Sequence, residues 1–130
     1  MHSLLKAAIV LPWLTLSCWA GPTDEQVLDL HQLWSSTLAA SGDFSEVAPL
    51  MSRASLEQIH RMDANKRQAL FAMMKMSQPI YADARWNVEG HQKHRGTLVY
   101  KLTYHGTNSG SLEFPVTEED GQLLVDWRDR

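Results

Sequence analysis

Cysteine is almost missing from this sequence. The single thiol, Cys18, falls in the first twenty residues, and from Gly21 to Arg130 there is none. That excludes a disulfide framework, a thiolate nucleophile and a Cys-based metal site from this part of the chain. Long apolar runs are also scarce: Ala7–Leu16 is too short to span a bilayer and contains Pro12. There is no Gly-rich phosphate loop, no Gly-x-Ser-x-Gly elbow and no His-Glu-x-x-His pair. A basic stripe interleaved with aromatics is lacking too, so nucleic acid is not an expected partner.

What is present reads as one globular domain behind an export signal. Lys6, the apolar stretch that follows it and the small residue Ala20 make residues 1–20 a secretory signal peptide, with cleavage expected after Ala20. A lipoprotein signal would place Leu three positions before its Cys. Thr15 stands there instead, so a soluble periplasmic product is the preferred reading over a lipid-anchored one. The remaining length, 21–130, suits a single domain with its own core. With 44% hydrophobic and 21% charged residues, disorder is not indicated. The net charge of -3 is unevenly spread: residues 21–50 carry no Lys or Arg, whereas Arg53, Arg61, Lys66, Arg67 and Lys75 make the middle basic.

The stretch 78–128 carries the strongest pattern, four runs that alternate apolar and polar residues as half-buried strands do. The first places Ile80, Ala82, Ala84, Trp86 and Val88 inward. The second places Leu98, Tyr100, Leu102 and Tyr104 inward, against Thr97, Val99, Lys101 and Thr103. In the third, Leu112, Phe114 and Val116 face in; in the fourth, Leu123, Val125 and Trp127 do. A slip of one residue would expose a whole core set, so register is strongly specified. Pro115 cannot donate to a ladder, which predicts an edge or a bulge in the third strand. Asp120-Gly121 predicts a tight turn, and 89–96 a long, loose connection.

Ahead of the sheet the period changes to that of helices. Thr23-Asp24-Glu25-Gln26 is a capping box, and Val27, Leu30, His31, Trp34 and Leu38 recur behind it at helical spacing up to about Ala40. Gly42 is expected to end this helix in a left-handed conformation. A short second helix capped by Asp43 or Ser45 would bury Phe44, Val47, Leu50 and Met51. Ser55-Leu56-Glu57-Gln58 suggests a third start, and a last helix from Asp63 to about Met76 would bury Leu70, Met73 and Met74 before Pro79 stops it. The fold class is therefore α+β, N-terminal helices packed on a curved four-stranded antiparallel sheet.

The run LWSSTLAASGDFSEVAPLMS and the ending VTEEDGQLLVDW resemble the nuclear-transport-factor-2-like superfamily, which includes SnoaL-like and ketosteroid-isomerase-like domains. The resemblance rests on Gly42-Asp43, Asp120-Gly121 and the strand pattern. It implies a cone whose sheet and helices enclose a pocket, and wide scatter of function. The chain departs from the enzyme branch where SRASLEQIHRM reads as helix and offers no pocket carboxylate. It is more similar to small exported bacterial members whose role is unknown.

The inward aromatic residues are the best site candidates. Trp34, Trp86, Tyr100, Tyr104, Phe114 and Trp127, with His31 from the first helix, either pack as core or line an apolar ligand pocket. Each ring stabilises the fold by roughly 2–3 kcal/mol if buried. A catalytic alternative would use His31 with Tyr100 or Tyr104, and no other inward group could move a proton. The outer sheet face, with Tyr81, Arg85, Val99 and Lys101, is the candidate interface for a protein partner or a homodimer. Asp83 and Asp126 fall on that face and read as solvated charges. His91, His94 and His105 lie near strand ends without a third ligand, so no metal or cofactor is expected. Three functions follow: an exported non-catalytic domain binding a small apolar ligand or a protein, a small isomerase- or hydrolase-like pocket enzyme, and a periplasmic inhibitor or immunity-type protein.

Overall fold

The computed structural model describes residues 21–128; the expected signal peptide and Cys18 lie outside them. The order is helix α1 (Asp24–Ala40), two 3-10 turns (Phe44–Glu46 and Ala48–Leu50), α2 (Arg53–Arg61), α3 (Ala64–Met76) and a third 3-10 turn (Gln78–Tyr81). Strands β1 (Arg85–His94), β2 (Thr97–His105), β3 (Ser109–Glu119) and β4 (Gln122–Val125) follow. The strands form an antiparallel meander in the order β1-β2-β3-β4, not closed into a barrel. This is the α+β architecture the periodicities predict.

Capping decides where the helices begin. Thr23 Oγ1 accepts from the Gln26 amide at 3.1 Å, while the Thr23 amide donates to Gln26 Oε1 at 2.9 Å, so two orphan N–H groups are satisfied. The buried stripe of α1 is Val27, Leu30, His31, Trp34 and Leu38, as its spacing predicts. The helix ends differently. Ser41 leaves it in extended backbone (φ -88°), and its amide bonds Leu38 O, so Gly42 is not needed as a left-handed terminator. Pro49 lacks the amide a continuous helix would use there. The expected second helix is two 3-10 turns, which still bury Phe44, Val47 and Met51. Ser52, not Ser55, caps α2, and Ser55 is buried one turn inside it. Helix α3 buries Phe71; Met73 points out, 61% exposed.

Strand β1 starts later than alternation suggests. Pro79 presets a helical φ, so Gln78–Tyr81 coils into a 3-10 turn, Ile80 is exposed, and the strand opens only at Arg85. It then runs on through the expected loose connection, which shrinks to Arg95-Gly96, both with positive φ (52° and 84°). A bulge at Glu89 lets Val88 oppose Leu102 while Gly90 opposes Lys101. The parity of β1 flips there, and His91 and Lys93 come to share a face with Tyr100 and Leu98. Asp120-Gly121 forms the expected tight turn (φ 54° and 79°).

Strand β3 is not an edge despite Pro115. A residue's N–H and C=O point to the same side of a strand, and Pro115 O accepts from the Asp126 amide at 2.9 Å. The missing donor therefore faces the end of β4, past the last ladder pair Val116–Val125, and costs β2 nothing. The far edge of β4 is covered by Met51-Ser52, through a parallel bridge at Met51 and the Ser52 amide on Val125 O (2.8 Å). Between the helices and the inner sheet face lies the core: Val27, Trp34, Leu38, Val47, Met51, Ile59, Tyr100, Leu102, Phe114, Val116 and Val125.

Candidate functional site

Five rings carried by five elements meet on the helix side of the sheet. His31 from α1 stands 4.3 Å from Trp86 of β1 and 4.9 Å, edge-on, from Phe114 of β3. Trp86 lies 5.2 Å from Tyr104 of β2, and Tyr81 from the third 3-10 turn touches both, at 5.1 and 4.9 Å. These tilted and edge-to-face pairs are those that ring quadrupoles favour. Gly110, directly across from Tyr104, makes room for the phenol: a Cβ there would sit 2.6 Å from its oxygen.

The candidate rings thus close largely on one another. Trp34, Tyr100 and Phe114 are core residues, and Trp127 packs half-buried against them. Tyr100 turns its hydroxyl to Pro22 O (3.4 Å) and its ring to His91 (4.9 Å), away from His31. Neither Tyr100 nor Tyr104 is brought to His31.

The open space lies on the flank of this cluster. A cleft of about 500 Å³ runs between α1 and the third 3-10 turn, lined among others by His31, Gln32, Ser35, Gln78, Tyr81 and Trp86. Ser35 is one turn beyond His31, and Leu28 and Gln32 share that side of α1, so helical spacing from His31 points to this lining. The contribution of Gln78 and Tyr81 could not be read that way, because it depends on the 3-10 turn.

His31 is 5% exposed, and no hydrogen bond from a described residue reaches its ring. Burial lowers its pKa to about 4, so it is a neutral imidazole at pH 7, with one N–H donor and one acceptor nitrogen. Ser35 Oγ is buried and likewise without a partner. Burial, and then the neighbouring Tyr104 phenol, raise the Tyr81 pKa and keep its hydroxyl protonated.

The outer sheet face is not the surface alternation suggests. Tyr81 leaves it for the ring cluster, because the 3-10 turn redirects it. Val99 is 5% exposed, and Thr97, Pro115, Leu124 and Asp126 are buried on the same face. Of the four interface candidates only Arg85 and Lys101 are exposed, and Lys101 pairs with Glu89 at 2.9 Å. Asp126 is no solvated charge: it accepts from Ser52 Oγ (2.7 Å), Thr97 Oγ1 (2.9 Å) and Arg128 Nη2. Asp83 is exposed but clamps the β2–β3 loop, accepting from the Thr107 amide and hydroxyl at 3.0 and 2.7 Å. His91 and His94, three apart on one strand, point to opposite faces. Among the described residues no group of three His, Cys, Asp or Glu gathers to hold a metal. No helix there is long and apolar enough to cross a membrane.

Comparisons of this chain with protein-family models, with curated proteins and with solved structures find no match.

Proposed function

We propose that the chain is an exported, non-catalytic binding domain of the nuclear-transport-factor-2-like kind, holding a small flat ligand in the cleft beside His31. The partnerless Ser35 hydroxyl, one turn from the buried His31 imidazole on the same cleft wall, carries this reading. Buried polar groups are almost always hydrogen-bonded, and leaving one unpaired costs about 1–3 kcal/mol. Ser35 Oγ incurs that cost on the cleft wall, and a bound ligand that reached it would remove it. Trp86 and Tyr81 in the lining supply the apolar contact that small-molecule sites use for affinity.

Chemistry is disfavoured by the same imidazole. A general base works best with its pKa near the operating pH, and burial has moved His31 to about 4. The tyrosines that could have assisted it are turned elsewhere.

Titrating the protein with 1-naphthol or indole, followed by the Trp86 indole N–H resonance, tests the proposal. The expected result is a saturable shift at Trp86 with a raised melting temperature, both reduced by His31→Leu. Shifts confined to other tryptophans, or none, would refute it.

A further inference from the structure

We infer that the cleft selects a cationic amine carried on a flat apolar body. The inference rests on the cleft being a ligand site and adds the charge of the ligand. Its basis is the formal charge of the lining, the two rings in it and the acceptors left on Ser36 and Gln78. Ser36 donates its hydroxyl proton to Leu33 O (3.2 Å), leaving only lone pairs for a ligand. Gln78 donates one Nε2 proton to Met74 O (3.2 Å), leaving Oε1 as an acceptor beside its second N–H. Neutral His31 offers one acceptor nitrogen and one N–H, and the partnerless Ser35 hydroxyl can donate or accept, so neither decides the ligand's charge.

The formal charge of the lining points the same way. Asp29 is the one carboxylate among the lining residues, and neither Lys nor Arg is among them. Asp24 and Glu25 extend the negative character of α1 by a turn. Trp86 and Tyr81 line the cleft, and aromatic rings attract a cation held over them within about 6 Å of the centroid. A carboxylate or phosphate entering this cleft would lose water and meet Asp29 with no Lys or Arg in the lining to offset it. An ammonium fits the single carboxylate, the Ser36 lone pairs, the Gln78 Oε1 and the two aromatic rings of this lining.

Three probes sharing one ring system separate the cases: 1-naphthylmethylamine, 1-naphthalenemethanol and 1-naphthylacetate, titrated at pH 7.5 into the purified chain. Binding would be measured by calorimetry and localised by the Trp86 indole resonance. The amine should bind about ten-fold more tightly than the alcohol, and the acetate most weakly. Asp29→Asn should shrink the amine-to-alcohol ratio to about two-fold. Asp24→Asn, outside the lining, should leave that ratio as it is. Equal affinities, or tightest binding by the acetate, with Trp86 shifting in each case, would overturn the charge assignment and leave the cleft as a site. Failure of all three probes to shift Trp86 would overturn the site itself.

Discussion

At the scale of single residues, Asp126 shows where reading by alternation stops. Its place in the fourth run puts it outward, and outward carboxylates are normally solvated. It is instead 2% exposed, because Ser52 at the start of α2 and Arg128 two residues on close over it from different sides. Neither partner is visible from period-2 spacing: Ser52 arrives from 74 positions away. Ser52 Oγ also accepts from the Ser55 amide at 3.1 Å, so one hydroxyl caps a helix and fixes the end of β4. Removing the carboxylate leaves Arg128 and two hydroxyls without their acceptor. Asp126→Ala should therefore cost about 3 kcal/mol in urea unfolding. Ser52→Ala should cost about 1–2 kcal/mol, since it loses one bond and one cap. Equal, near-zero effects would mean the cluster contributes nothing to holding β4. His31, by contrast, was legible as a buried helix residue; that it lacked a partner was not.

At the scale of elements, legibility followed how local the determining force is. The inward sets of β2 and β4 and the buried stripe of α1 depend on periodicity alone, and they stand as the sequence implies. The start of β1, the length of the β1–β2 connection and the bulge at Glu89 depend on turn geometry, which a short alternating run does not encode. The register can be tested directly. Leu102 is fully buried, so Leu102→Asp should prevent folding by burying an unpaired charge. Lys101 is exposed and only pairs with Glu89, so Lys101→Asp should change stability by under about 1 kcal/mol. Comparable losses from the two would show the strand facing the other way. A second test concerns the β2–β3 loop. A Cβ on Gly106 would lie 2.9 Å from the Asp83 carbonyl and 3.1 Å from Ala84 Cα, backbone atoms that cannot swing aside. Gly106→Ala should force the loop off Asp83 and lower the melting temperature by several degrees, roughly the effect of 1–2 kcal/mol. Gly110→Ala meets only the end of the Tyr104 side chain and should cost less.

For the whole molecule, His31 and Asp126 tie stability to pH in the same direction but in different windows. The His31 pKa is about 4 folded and 6.5 in an unconstrained chain. Above pH 6.5 both states carry the neutral ring, and its contribution is complete. Between 6.5 and 4 the unfolded chain takes up a proton that the buried ring refuses, so stability falls as pH falls. The loss over that window is about 3 kcal/mol, a large share of what a domain of this size has in reserve. Asp126 acts further down. Burial alone would raise its pKa, but the bonds from Arg128, Ser52 and Thr97 and the Arg128 charge outweigh that and hold it below 3.8. Its contribution is present above 3.8 and disappears as pH drops through the lowered value. Unfolding free energies measured in urea from pH 7.5 to 4 should therefore decline in the wild type. They should decline less in His31→Leu, which keeps an apolar group against Trp86 and Phe114 and has no proton to exclude. Asp126→Asn should keep the decline over that range, because the group it removes titrates lower. Equal slopes for wild type and His31→Leu would mean that the ring is hydrated or bonded in the folded protein. The desolvated imidazole that lines the cleft would then not exist.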